Sequence, residues 1–332
     1  MSQHSIGKPD LSDYLHLHFL VVIWGFTAIL GLLLEPLEAP ALVVYRTLLS
    51  ALGLGVVLYY RRQLVIPRAS VQWQLMGTGA LMAIHWIAFF GAARLANASV
   101  CLAGMATGSL WTSVLEPLFL RRRIRAVEVL LGGVVIAGLY VIFRFEFDRM
   151  AGLLMAIFSA MLAAVFTIIN SRFTQRYNAL TISFYEMIGA FGAAQLFLLI
   201  YMWVSPDQSL WSADRLVPTS ATQWLWLAVL AFVCTVYAYT AAVQLMRKFS
   251  AYAVNLTVNL EPVYGIVLAF LVFGESERMT SGFYIGTLII LLAVLAYPWL
   301  NGRLQRSSAA PVEAAETGGL SLPPNETHST TA

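Results

Sequence analysis

Charge is what this 332-residue chain has least of: Asp, Glu, Lys and Arg together make up 11% of it, against about a quarter in soluble domains. With 59% of residues hydrophobic, too few polar side chains remain to cover a water-soluble fold, so the bilayer must be the solvent. Cysteine is scarce as well. Cys101 and Cys234 both stand inside apolar runs with no partner at metal-ligand spacing, so they read as small buried hydrophobes and no redox chemistry follows from them. The sequence has no phosphate-binding Gly-rich loop followed by Lys-Ser/Thr, no H-E-x-x-H and no G-x-S-x-G elbow. ATP hydrolysis, zinc chemistry and serine-hydrolase chemistry are therefore not expected, nor is any metal or cofactor. The net charge of +3 is small and its carriers cluster at the ends of apolar runs, which argues against a nucleic-acid partner.

What the chain has instead is long apolar runs, near 15–34, 40–60, 73–93, 99–120, 126–143, 151–171, 180–203, 223–245, 251–273 and 282–300. About twenty apolar residues suffice for a helix to cross the hydrocarbon core, and the ten-residue alternation of outer-membrane strands is absent. The fold class is an all-α integral membrane protein of about ten transmembrane helices. Residues 1–14 are polar, with Asp10 and Asp13 before the first run; no small-residue cleavage site comes after that run, so a removed signal peptide is not expected. Residues 303–332 are rich in Ser, Thr, Pro, Ala and Glu and read as a disordered tail.

Orientation is set by Lys and Arg in short loops. One side collects Lys8, Arg61, Arg62, Arg68, Arg121, Arg122, Arg123, Arg125, Arg172, Arg176, Arg247, Lys248, Arg303 and Arg306, and the other only Arg94, Arg144, Arg149, Arg215 and Arg278. The richer side is expected to be the cytoplasm. A multi-pass protein of the inner or plasma membrane with both termini cytoplasmic is the result.

The chain also resembles itself. The stretch from Trp73 to Ser99 aligns without gaps on Trp224 to Ser250, a constant shift of 224 minus 73, and Phe26-Thr27 and Tyr45-Arg46 pair with Phe166-Thr167 and Tyr185-Glu186 at a shift of 140. The longer link near 204–222 absorbs the difference. The pairing divides the chain into two units, 15–143 and 151–300. Because five crossings is an odd number, the second unit starts from the opposite side, giving the inverted repeat common in secondary transporters, whose sites lie between the repeats near the midplane.

An ionisable group in hydrocarbon costs at least about 2.5–3.5 kcal/mol, so such groups are the first candidates for a site. Arg46 and its counterpart Glu186 lie about 9 Å inside their helix ends at 1.5 Å per residue; they read either as substrate and ion-pairing groups or as a structural pair near the interface. Glu261, followed by Pro262 and preceded by Asn255 and Asn259, is too deep to snorkel. It is either a substrate or proton site or a packed, hydrogen-bonded acid. His85 beside Trp86 could shuttle a proton or be a packed polar group. Glu116-Pro117 lies close to the Arg121–Arg125 cluster and reads as an interfacial pair. Trp24, Trp86 and Tyr237, among other mid-run aromatics, could line an aromatic chamber. Gly77, Gly79, Gly104, Gly108, Gly132, Gly133, Gly189 and Gly192 read as helix-packing positions.

Trp24-Gly25-Phe26-Thr27, Arg46 and LEPVYGIVLAFLVFGE at 260–275 resemble the EamA family of the drug/metabolite transporter superfamily over about residues 14–300. The resemblance implies ten helices in two EamA-like repeats and movement of small metabolites, in some members amino acids. One departure is the Leu110-Trp111 pair where the first repeat often has Pro; the bend of the fourth helix is expected to shift toward Glu116-Pro117. The expectation is thus a secondary transporter rather than an enzyme. It would export a small-molecule substrate by alternating access around a cavity lined by helices 1, 3, 4, 6, 8 and 9, with a proton, through Glu261 or His85, as its coupling partner and a monomeric or homodimeric state. An intramembrane lipid-modifying enzyme and a non-transporting scaffold are the alternatives; the latter requires a packed centre without a cavity.

Overall fold

The computed structural model describes residues 9–63, 65–120, 126–205, 212–293, 295–296 and 299–300; the expected tail at 303–332 and the Arg121–Arg125 cluster lie outside them. The described residues contain helices and no strand. Among the described residues, eight segments are long and apolar enough to span a membrane: α1 (Leu11–Leu33), α2 (Ala39–Tyr60), α3 (Ala69–Leu95), α4 (Ala98–Phe119), α6 (Phe147–Phe173), α7 (Ala179–Val204), α8 (Ala213–Leu245) and α9 (Ala251–Glu277). Two shorter apolar helices, α5 (Ala126–Phe145) and α10 (Ser281–Ala293), come after α4 and α9. Long hydrophobic side chains such as Leu196, Leu199 and Trp203 of α7 face outward, as a lipid-facing surface requires. The protein is a multi-pass membrane protein.

Local sequence sets where the helices start. Asp10 opens α1 with a capping box closed by Asp13, Asn97 caps α4 at Val100, Asn178 caps α7 at Thr181, and Ser220 and Ser250 cap the main part of α8 and the start of α9. Each side-chain oxygen takes up a backbone N–H that the first turn leaves unpaired.

Packing joins residues 11–145 to residues 147–293 rather than keeping each stretch to itself. The most extensive contacts are α3 on α7 and α6, and α2 on α7, followed by α4 on α6, α1 on α9 and α4 on α9. Lipid offers no hydrophobic drive for such association, so helices must approach closely. At the α3–α7 crossing a Cβ on Gly79 would lie 2.0 Å from the Glu186 carbonyl oxygen, and one on Gly189 would lie 2.1 Å from that of Met76. Gly25 and Gly265 form the same kind of crossing between α1 and α9. Gly77, Gly133 and Gly192, read from sequence as packing positions, have nothing within 4 Å of such a Cβ and so do not mark close crossings.

Four of the described helices carry an irregularity near residues that line one common region. α1 breaks at Phe26, where the Thr27 hydroxyl donates to the Trp24 carbonyl at 2.6 Å. α4 breaks at Ala106–Thr107, where the Thr107 hydroxyl donates to the Gly104 carbonyl at 2.8 Å. In both, a Thr hydroxyl competes for a backbone acceptor next to a glycine. The α4 break is not displaced toward Glu116-Pro117 as the missing proline suggests: Pro117 sits inside the continuous helix Gly108–Leu120, and the Gly-Thr device bends α4 about ten residues earlier, with no proline needed. α9 breaks at Asn259–Leu260, so that Glu261 and Pro262 open its second part, Glu261–Phe273. Pro at the second position has no N–H to leave unpaired there. In α8, Val229–Tyr237 is wound as a π-helix.

Candidate functional site

A buried cavity of about 90 Å³ lies where these irregular segments meet, lined by residues of α1, α2, α3, α4, α6, α8 and α9. One water needs about 10–15 Å³, so the cavity has room for several waters or a small polar solute. The expected lining helices are all represented; α2 joins them through Arg46.

Arg46 is 2% exposed. It does not snorkel toward an interface but runs inward, its guanidinium 3.9 Å from the Trp86 ring centroid, a cation–π contact. Its Nε donates to Thr235 Oγ1 at 2.8 Å, and the Thr235 hydroxyl donates in turn to the Leu230 carbonyl at 2.9 Å. The π-helical winding of α8 thus presents Thr235 to Arg46, and two further donors hold the same segment. Ser50 Oγ reaches the Ala231 carbonyl at 3.1 Å and Trp24 Nε1 the Cys234 carbonyl at 3.1 Å. Among the described residues no carboxylate lies within ion-pair distance of Arg46, so the expectation of a simple structural pair is not met. Its Nη atoms are left for the cavity.

Glu261 also lines the cavity, 5% exposed, at the start of the second segment of α9. The helix N-terminus behind it favours negative charge. His85 joins α3 to α6: its Nδ1 lies 2.9 Å from the Ser159 carbonyl and 2.8 Å from Ser159 Oγ, while that hydroxyl donates to the His85 carbonyl at 2.9 Å. Nδ1 therefore faces two acceptors and carries the ring proton, which leaves Nε2 of the neutral ring as an acceptor. Trp24, Trp86, Phe89 and Phe166 supply an aromatic wall.

Three sequence candidates stand apart from this cavity. Tyr237 is 44% exposed and its hydroxyl is 3.1 Å from His16 Nε2; Tyr239, two residues on, lines the cavity instead. The π-helix ends at Tyr237, and its wider turn rotates the residues beyond it away from the positions an α-helical wheel assigns. Asn259 is buried at the α9 break beside Gly108, its Nδ2 without a partner; Asn255, one turn earlier, lines the cavity and donates to Thr112 Oγ1 at 2.7 Å. Glu186 is 0% exposed behind Tyr239, whose hydroxyl donates to Glu186 Oε2 at 2.9 Å. Thr235 and Ser159, which hold Arg46 and His85, are not legible in the sequence as site residues, because a hydroxyl in an apolar run carries no pattern of its own.

Residues 150–297 match the EamA-like transporter family. The matched stretch takes in most of the second half of the chain and is similar to that family. The chain as a whole is similar to a crystal structure of a protein at TM-score 0.61 and 16% identity, over 87% of this chain and 98% of that one; at that identity the likeness shows the fold alone. No curated protein matches it. The matched stretch supplies Phe166, Thr167, Cys234, Tyr239, Asn255 and Glu261 to the cavity, while the cation, Arg46, comes from the stretch before it.

Proposed function

We propose that this protein is a secondary transporter of small zwitterionic metabolites such as amino acids, and that it works by alternating access between two five-helix repeats of opposite orientation, in the direction of export. The reading rests on one observation: Arg46 and Glu261, neither in an ion pair among the described residues, line the same buried cavity where three broken helices and a π-segment converge. A carboxylate fits the free edge of a guanidinium, an ammonium fits Glu261, and the aromatic wall suits a short apolar side chain. Discontinuous helices around a midplane site are the usual build of such carriers. The near-correspondence of the α4 and α9 breaks supports two related repeats.

The cavity speaks against a scaffold, which would pack its centre. Among the described residues no observation specifically favours the lipid-enzyme reading.

Counterflow of radiolabelled L-amino acids, presented singly to proteoliposomes, tests the substrate class; a complete absence of exchange across the panel would remove it. Glu261→Gln should lower uptake of an amino acid by about 10- to 100-fold, since the variant leaves the substrate ammonium without its charged partner, and should lower uptake of the matching 2-hydroxy acid far less. Equal losses for the two would take Glu261 away from the amino group.

Topology has its own test. Single cysteines at Gln63 and Asp214, in a background without Cys101 and Cys234, should react with a membrane-impermeant maleimide from opposite sides, Gln63 from the cytoplasm. Labelling of both from one side would overturn the inverted arrangement.

A further inference from the structure

Behind the cavity, α6, α7 and α8 enclose a second polar cluster that the substrate site does not use. Glu186 of α7 is 0% exposed. Its Oε2 accepts from Tyr239 of α8 at 2.9 Å, and the Tyr239 oxygen in turn accepts from Asn170 Nδ2 of α6 at 2.6 Å. Two acceptors in this cluster, Glu186 Oε1 and Asn170 Oδ1, are buried with no hydrogen-bond partner. Among the described residues no cation reaches ion-pair distance of the carboxyl. On α2, Arg46 turns to Trp86 and Thr235. On α3, the crossing facing Glu186 is Gly79, and His85 is turned to Ser159. Tyr239 is the titratable group in contact.

A buried carboxyl without a counter-charge and with one unmatched oxygen is a cluster one donor short. A proton bound to the carboxyl removes the uncompensated charge, and a neutral acid bears an unmatched oxygen at less cost than a carboxylate does. Tyr239 both touches Glu186 and lines the cavity, and it stands one turn beyond Thr235, the residue that holds Arg46. We propose that Glu186 is the proton-binding site of this carrier, reached from the cavity through the Tyr239 hydroxyl. In loading, Tyr239 gives its own proton to Glu186 Oε2 and takes one from a cavity hydronium. One O–H bond breaks and re-forms at Tyr239, one forms at Glu186, a water is left, and no electrons change hands. The reverse step unloads the proton after the cavity opens to the other side. α8 then carries the partner of the proton site and the partner of the substrate cation on one helix, so a change at either is felt by the other. This assignment rests on the transporter reading for its purpose, though not for its chemistry, and moves coupling away from Glu261 and His85.

Infrared difference titration of the purified protein in lipid nanodiscs, without substrate, reads the chemistry directly. The wild type should show a protonated-carboxyl C=O band that appears and disappears with pH, Glu186→Gln should lack it, Glu186→Asp should restore it at a shifted frequency, and Tyr239→Phe should move its midpoint. A titrating carboxyl spectrum unchanged in Glu186→Gln would overturn the proposal. In proteoliposomes, the ratio of amino-acid uptake with and without an imposed pH gradient should fall from on the order of 5- to 150-fold, the usual size of a coupling between two sites, to about onefold in Glu186→Gln. A ratio kept in that variant would also overturn it. If no amino acid moves at all, the substrate reading fails while the titration still decides on Glu186.

Discussion

Replacing Arg46 by Ala should reduce amino-acid uptake by about 30- to 4,000-fold. Removing one partner of a buried, hydrogen-bonded charge pair costs about 2–5 kcal/mol, and every 1.4 kcal/mol is a factor of ten. The effect should fall on substrate recognition, because Arg46 has no carboxylate partner among the described residues that its loss would leave unpaired; what it loses internally is one bond to Thr235 and its stacking on Trp86. Arg46→Lys keeps a charge but not the planar fork or the ring contact, and should fall between wild type and Ala. Thr235→Val should weaken uptake by less than either, since it frees Nε without removing the cation. Initial rates of uptake into proteoliposomes, normalised to the amount of monodisperse protein, measure all three. Rates for Arg46→Ala within about threefold of wild type would take the cation out of substrate binding.

The second large effect is on assembly. Gly189→Leu should prevent accumulation of folded protein, because the first added atom would sit 2.1 Å from the Met76 carbonyl oxygen and 2.4 Å from its Cα. Both are backbone atoms that cannot rotate away, and α3 and α7 share one of the most extensive contacts in the molecule. Gly189→Ala brings the same clash with one atom, and overpacking of that kind typically costs about 1–3 kcal/mol; it should fold with a lowered midpoint in a thermal dye-binding assay. Gly192 lies one turn along the same helix with open space around it, so Gly192→Ala should stay within about 0.5 kcal/mol of wild type. A Gly192 variant as damaged as Gly189→Ala would mean that the crossing does not set the outcome, because Ala is the better helix former and propensity alone would favour the substitution.

Much of this architecture is legible in the sequence because lipid makes severe demands. A backbone that must satisfy its own hydrogen bonds is helical, and the runs from 15–34 to 282–300 can be counted directly, although α10 is described over a shorter stretch than its run. Buried charge is legible for the same reason, which is why Arg46, His85 and Glu261 stand out and why the cavity gathers them. What lies beyond hydropathy is local winding. Nothing in VLAFVCTVY announces a π-helix, and so hydropathy does not separate Tyr237 from Tyr239, of which Tyr239 lines the cavity. A Thr close to a Gly breaks α1 and α4 as effectively as a proline, while Pro117 breaks nothing. Side-chain hydroxyls depend on three-dimensional neighbours for their meaning, and Thr235 acquires its role only because Ser50, Trp24 and Arg46 converge on the same stretch of α8.

During synthesis, the dominance of contacts between the two halves leaves the early helices waiting. α2, α3 and α4 leave the ribosome before α6, α7 and α9, the surfaces they rest against, exist. Until then their glycine crossings and the buried Arg46 face lipid or the insertion machinery. A nascent chain stalled after residue 145 should therefore be held by insertase and be readily degraded when released, whereas co-expression of residues 147–332 as a separate polypeptide should rescue it.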